Sequence, residues 1–438
     1  MRANFLSCAG LCAGALFLSP SIALANMGNT ATTYGLLPTD IASAQALSMF
    51  NTQVSTTYYN PAYLAHSTKS ELTAGLMHAE HNLKADSQQF GTYTVQDDPT
   101  QQVLLGLKAD LSDLTELGQP MYLGVMIGSE KFGDELLAFG SRTDPDGQYF
   151  NYGRQPLFLS IGVGTHIWRG LDVGIGTKVT LKSEASLVAQ TNLAGETEYE
   201  ELNVSAKPVI RPIISMNFDW EETFCPDAKC WYDGLETAFA FKGYSDSSVE
   251  VNANTVIPGT IPDPGLFIDI ATVDSYQPNI YTLGMQLKRD KWRLGLAVEM
   301  QEWSALEDEL KNDTVKNNLG LEFDDIVIPR IGAEYYLNDT FTLTGGVAFE
   351  ESPLANDVNP EVNYLDADRT VIGLGMSATF DHVYGLKHPL RLDFGYQYHL
   401  MEEREFQIVS SQPTALNNDV VETKGDVNVF AGSISMQF

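Results

Sequence analysis

Beyond residue 25 the chain has no uninterrupted apolar run of the roughly 18 to 20 residues that a membrane-spanning helix requires. Positive charge is scarce: 26 Lys and Arg stand against 57 Asp and Glu, a net charge of −31. Such a polyanion repels nucleic acid, which is excluded as a partner. Cysteine is rarer still, with four in 438 residues. No Gly-x-Ser-x-Gly elbow occurs, so a lipase-type hydrolase lacks its best marker. His78-Ala79-Glu80-His81 has the look of a metal motif, but an odd offset on a strand sends the two histidines to opposite faces. The expectation is a non-enzymatic chain without metal or cofactor.

The start of the sequence carries an export signal. Met1 and Arg2 give a short positive end, Phe5 to Leu18 is mostly apolar, Pro20 breaks the segment, and Ala23-Leu24-Ala25 offers small residues at −3 and −1. This reads as a signal peptide, residues 1–25, cleaved after Ala25. Cys8 and Cys12 fall within it, with no lipobox around them. Only Cys225 and Cys230 remain, and in an oxidising compartment that even pair reads as one local disulfide.

What recurs is alternation with period two. In 171–182, Leu171, Val173, Ile175, Val179 and Leu181 share one face, opposite Asp172, Gly174, Gly176, Lys178, Thr180 and Lys182. Stretches 341–350 and 390–401 repeat the pattern. The second face holds too many charges and glycines for a packed sandwich layer, so a lipid-facing wall around a polar lumen is expected. A mean hydropathy of −0.12 fits that averaging of two faces. Fourteen candidate strands lie near 70–84, 100–110, 120–128, 156–168, 171–187, 199–219, 235–246, 276–288, 292–303, 326–337, 340–351, 369–381, 389–408 and 425–438. Tight connectors (169–170, 289–291, 338–339) alternate with long ones near 129–155, 246–275, 304–325, 352–368 and 409–424. Short periplasmic turns and long external loops are the wiring of a bacterial outer-membrane barrel. The last strand puts Phe430, Ile434, Met436 and Phe438 on one face, an ending like that by which barrel-assembly machinery recognises its clients. The expected fold is an all-β, about fourteen-stranded antiparallel transmembrane barrel spanning 69–438. A monomer is expected in the outer membrane of a Gram-negative bacterium, among lipid and lipopolysaccharide.

Residues 26–68 do not fit the wall. Pro38 to Phe50 reads as a capped, Ala-rich helix starting at Thr39 or Asp40. A compact element placed before the first strand suits a plug, since a barrel of this size otherwise leaves a channel. Asn60-Pro61-Ala62 closes it; Pro61 pushes Asn60 out of the helical region, and the expected turn presents the Asn60 amide to partners in the lumen.

Asn60-Pro61-Ala62 resembles the Asn-Pro-Ala motif of the FadL-type outer-membrane transporters of long-chain fatty acids, whose relatives import hydrocarbons. Further stretches are similar in the same order: Val298 to Trp303-Ser304, Pro329 to Leu337, Leu343 to Ser352-Pro353, and Asp366-Ala367-Asp368-Arg369. Departures are a glycine-poor hatch, Phe349-Glu350, and the disulfide turn. The resemblance implies a fourteen-stranded barrel with an N-terminal hatch, loops that catch a hydrophobic small molecule, a lumenal pocket, and an opening in the wall that releases it sideways. A lipid-acting enzyme and a general aqueous porin are the alternatives.

Lumenal cations that could meet a fatty-acid carboxylate are Lys178, Lys182, Arg211, Arg330 and Arg391, with Lys108, Lys242 and Arg293 on the same parity. Against them stand Asp172, Glu236, Glu299, Glu334 and Asp393, and ion-paired lining is the simpler reading. Apolar Ile257, Ile261, Leu266, Phe267 and Ile268, in the expected loop 246–275, are candidates for a capture surface.

Overall fold

The computed structural model describes residues 30–87, 91–94, 99–112, 119–131, 157–191, 197–226, 230–257, 261–311, 321–359, 366–383, 385–408 and 419–438. For 85, 87, 91–94, 182–191, 197–206, 247–257, 261–275, 359, 408 and 419 the backbone alone is described. The expected signal peptide, residues 1–25, lies outside the described residues.

The strands run β1 Glu71–Ser87, β2 Gly91–Thr94, β3 Thr100–Asp110, β4 Met121–Lys131, β5 Leu157–Trp168, β6 Leu171–Thr191, β7 Thr197–Asp219, β8 Leu235–Lys242, β9 Ser245–Ile257, β10 Ile261–Gln277, β11 Ile280–Lys288, β12 Trp292–Gln301, β13 Ile326–Tyr336, β14 Phe341–Glu350, β15 Val358–Asn359, β16 Arg369–Phe380, β17 Leu390–Ile408 and β18 Asp419–Gln437. Fourteen of them make a closed antiparallel barrel, and β2, β9, β10 and β15 belong to the connections. β8 pairs directly with β11, and β1 pairs with β18 from Glu71↔Gln437 to Ser87↔Val421. Closure leaves the wall without an edge, so every ladder group in it finds a partner away from water. Alternation then sorts the side chains: β3 and β13 are buried and exposed by turns along most of their length. Leu105, Ile175, Ile214, Leu283, Ile331 and Leu374 face out on the lipid side. His81 is buried and His78 faces out, at the offset read from the sequence.

Two expectations need correction here. The segment 246–275 is an antiparallel hairpin, β9 against β10, and not a loop. Its Val, Ile and Thr residues are β-formers, and the apolar positions read as exposed loop fall within the two strands. β9 also pairs in parallel with the outer part of β6, from Ala185↔Val251 to Gln190↔Val256. The second correction concerns Pro38–Phe50, which is not one helix. The α-helix stops at Ala42, because Ala44 and Gln45 adopt φ of 47° and 64°; a 3-10 turn, Ser48–Phe50, follows. The N-cap is Leu37, with Pro38 in the first turn, and Asp40 reaches back to accept the Leu37 amide at 3.1 Å.

At the end of the barrel holding the tight turns 169–170 and 289–291, a short helix, Trp220–Phe224, leads into a turn closed by the Cys225–Cys230 disulfide. A sequence separation of 5 encloses too little chain to restrict the unfolded state much. Replacing both cysteines with serine should therefore cost at most about 2 to 3 kcal/mol and leave a barrel that assembles. Heat-modifiable mobility on electrophoresis checks this, and loss of the folded band would contradict it.

Candidate functional site

The N-terminal segment lies inside the barrel. Nearly every described residue from 30 to 64 is buried, polar ones included. Three short α-helices (Thr30–Thr33, Pro38–Ala42 and Thr56–Tyr59) and a 3-10 stretch, Pro61–His66, turn through the lumen. Asp40 knits them together by accepting from Ser48 Oγ at 2.8 Å and Asn51 Nδ2 at 3.1 Å. Thr39 Oγ1 donates to Gln53 Oε1 at 2.7 Å.

Space for this segment comes from glycines on the inner face of the wall. A Cβ on Gly174 would overlap the Ala62 amide, and one on Gly346 would overlap the Ser43 carbonyl. At both places the barrel wall meets hatch backbone with nothing between, which only glycine permits. Asn-Pro-Ala sits at the first of these contacts, with the Ala62 N–H donating to Ser215 Oγ at 2.8 Å. Asn60 turns its amide to a partner within the hatch. Its backbone is extended (φ −156°, ψ 80°), as a residue before proline should be, and its amide donates to the Met49 carbonyl at 2.7 Å. The amide therefore braces the hatch against itself and does not face the wall.

Short helices leave many carbonyls without partners, and the wall cations supply donors. Arg293 donates to the Phe50 carbonyl at 2.8 Å, Arg330 to the Ala44 carbonyl at 3.1 Å, and Lys108 to the Thr52 carbonyl. The same cations are matched by carboxylates: Arg293 with Glu334 at 2.7 Å, Arg330 with Glu299 at 3.7 Å, Lys108 with Glu71 at 3.8 Å. Lys178 faces Glu130 at 3.5 Å, Lys242 faces Glu299 at 3.8 Å, and Arg391 faces Asp393 at 2.8 Å. Arg211 spends its guanidinium on the Gly243 and Pro278 carbonyls, at 2.7 and 2.6 Å, and on Gln277 and Tyr58. Four of the five carboxylate-binding candidates thus already hold protein partners. The side chain of Lys182 lies outside the described residues, as do those of Ile257, Ile261, Leu266, Phe267 and Ile268.

His66, at the hatch's last turn, is a further tether. Its Nε2 lies 2.7 Å from Asp172 Oδ2 and 3.0 Å from Asn217 Nδ2, while Tyr63 stacks on its ring at 4.4 Å. Burial alone would push the imidazole down. The hydrogen bond to Asp172 and the charges of Glu236, Asp172 and Asp219 outweigh burial and raise it to about 9. A folded value above the ordinary 6.5 means the tether is fully present below pH 6.5 and is lost as pH rises through about 9. Single-barrel current recordings should show hatch-opening steps becoming more frequent across that window. His66→Gln should remove the pH dependence; an unchanged pH profile in that variant would contradict the tether.

Beyond the hatch the lumen, expected to be polar, also holds an apolar cluster, beside buried polar residues such as His81, Gln102, Gln301, Arg369 and His399. Met77, Ala79 and Leu83 of β1, Ile326 and Ile328 of β13, Val371 of β16, Phe406 of β17, and Val421, Val427 and Val429 of β18 all face inward and are buried. They form one cluster with Trp303, Leu306 and Leu310 after β12, Phe323 and Leu354 from the facing connections, and Tyr34 and Ile41 of the hatch. On β1 and β18 the outer face beside this cluster turns polar. Asn82 bonds Asp426 at 3.1 Å, and Lys424 bridges to Asp86 at 3.1 Å. At these two strands the usual barrel polarity is inverted, with an apolar column inside, whereas Val327, Phe349, Ile372 and Leu400 keep the outer face of β13, β14, β16 and β17 apolar beside it. Sequence reading missed Trp303, Leu306 and Leu310, whose helical spacing on one face was the available signal.

The family described as outer membrane protein transport protein (OMPP1/FadL/TodX) matches residues 236–438. Alkane uptake protein A of Marinobacter nauticus is 47% identical over 422 residues, which cover 94% of this chain and 92% of that protein. In fold the chain is similar to the crystal structure of a Pseudomonas aeruginosa FadL homologue, with TM-score 0.61 and 14% identity over 94% of this chain and 100% of that one. The toluene transporter TodX of P. putida has TM-score 0.58 and 13% identity, over 93% and 99%.

Proposed function

This chain belongs to the outer-membrane transport family OMPP1/FadL/TodX, and on that premise we propose that it imports uncharged long-chain hydrocarbons, alkanes foremost, by capture at the external mouth and lateral release through the wall. The observation that carries the reading is the apolar cluster within the wall, above a hatch whose carbonyls are held by the wall arginines. A solute leaving water would meet that column first. Each methylene buried there contributes about 0.8 kcal/mol, so a chain of ten carbons is held without any charge contact. The wall cations are matched by carboxylates or carbonyls, so a fatty-acid headgroup would have to displace a partner already in place. The alkane-uptake relative points to the same substrate class. Sideways release follows from solubility: the ligand gains nothing by entering the periplasm, and the outer membrane's own acyl chains are an apolar phase on the other side of the wall. The hatch is the proposed unit 26–68, Phe438 the proposed assembly signal, and 1–25 the proposed export signal.

Binding of radiolabelled hexadecane and palmitate to the purified protein tests the choice of substrate. Hexadecane should bind at least as tightly as palmitate, and its binding should be insensitive to salt. Palmitate binding that is stronger, falls with salt, and is lost in Lys178→Gln would overturn the hydrocarbon reading in favour of fatty acids.

A further inference from the structure

The disulfide-closed turn after β7 has no part in the transport path, yet it holds large rings in the open. Trp231 is 83% exposed and Phe224 60%. On a soluble surface such rings would be a liability. Here they continue another surface. Along β7 the outward parity carries Ile210, Ile214 and Met216, all exposed on the lipid side, and Phe218 comes next on that face. Phe218 then packs on Trp220 at 5.3 Å and on Phe224 at 6.0 Å, and Trp220 on Phe224 at 5.7 Å. On the neighbouring rim, Ile167 and Trp168 are also exposed, and Thr223 of the short helix donates to the Arg169 carbonyl between them and β6 at 2.7 Å. The lipid-facing band therefore runs without a break onto the turn.

Several polar groups here bond within the helix and to the neighbouring turn. Asp219 caps the helix by accepting the Glu222 amide at 3.0 Å, and Glu221 accepts the Gly234 amide at 3.0 Å. Arg289 from the next turn donates to the Asp233 carbonyl and, at 3.3 Å, to the Trp231 carbonyl. Trp220 Nε1 donates to Thr237 at 3.2 Å. Exposed among the described residues, beside the Glu222 carboxylate, are the Phe224 ring and the Trp231 indole, which packs edge-on against Tyr232 at 5.3 Å. Indole, with an apolar body and one N–H, is the side chain that partitions to the headgroup level of a bilayer.

We propose that the disulfide-closed turn is a membrane-interface anchor, in which Trp231 and Phe224 enter the headgroup and upper acyl region of the phospholipid leaflet on the periplasmic side. The Cys225–Cys230 bond holds the two rings at one depth. Fixing one rim of the barrel in the leaflet in this way sets the tilt of the β5–β8 sector against the membrane.

The test uses the full-length folded protein in phosphatidylcholine nanodiscs, with or without bromine on the acyl carbons nearest the headgroup. Emission from Trp231 is the difference between wild type and Trp231→Phe, a variant that keeps a ring at the site. That emission should lose most of its intensity in brominated bilayers and resist acrylamide added to the water. In Cys225→Ser/Cys230→Ser, acrylamide should gain access and the effect of bromine should fall. Emission quenched by acrylamide and indifferent to bromine would overturn the anchor, leaving the rings as a surface for a soluble partner. Bromine quenching unchanged without the disulfide would overturn the role given to the bond.

Discussion

Removing residues 26–60 should convert a sealed barrel into a steady conductor. The described ones, 30–60, fill the lumen against inward glycines of the wall. Their loss leaves fourteen strands around an open bore, wide enough for water and ions at this strand number. Wall ladders do not depend on the hatch, so the deleted protein should still assemble and show the folded mobility. A second variant separates loss of the plug from any effect of truncation: Gly346→Leu forces a side chain into the Ser43 carbonyl, and its cheapest relief is displacement of the hatch. Planar-bilayer recordings should show large, stable current from the deletion and frequent partial openings from Gly346→Leu. Wild-type current from both would refute a plug.

A carboxylate placed in the apolar column should abolish transport while sparing the barrel. Ile328 and Val429 are fully buried and face inward, on β13 and β18. Ile328→Asp sets a carboxylate directly across from that of Glu299, and Val429→Asp buries one beside Ala79; each costs several kcal/mol or draws in water. Either outcome weakens hold on an alkane, and each 1.4 kcal/mol lost is about tenfold in affinity. Alkane uptake should therefore fall by roughly tenfold or more. Ile328→Val, which removes one methylene, should change it little. Because Asp substitutions can impair assembly, uptake is normalised to the folded protein in the outer membrane. Undiminished uptake by both Asp variants would place the path elsewhere.

The wall was legible in the sequence because each strand had to satisfy two solvents at once. Period two shows plainly where one face meets lipid and the other meets charge, as in 171–181, and the fourteen wall strands fall where that pattern put them. The same rule hid the column. Val427 and Val429 share a parity with Ser433 and Ser435, so the inward face of β18 changes from polar to apolar partway along its length. A reading that assigns one polarity to each face misses such a change. The hairpin β9–β10 was hidden for a related reason: outside the membrane neither face needs to be uniformly apolar, and its residues looked like loop. The hatch showed its presence but not its path, since its turns are set by contacts with the wall. Inward glycines at 174 and 346 were a usable sign, because glycine within a strand marks a close backbone approach. The roles of Arg211 and Arg330 were open between ligand and lining until their partners were seen. No local pattern tells a cation that meets a hatch carbonyl from one that awaits a carboxylate.

The account stands or falls on what cells lose with this protein. Uptake of a radiolabelled long-chain alkane, a sugar and an amino acid should be compared in cells with and without the gene. Import of hydrophobic molecules predicts slow alkane uptake in the deletion strain and unchanged uptake of both hydrophilic solutes. Unaltered alkane uptake, with sugar and amino-acid uptake lost instead, would contradict it and leave an aqueous porin.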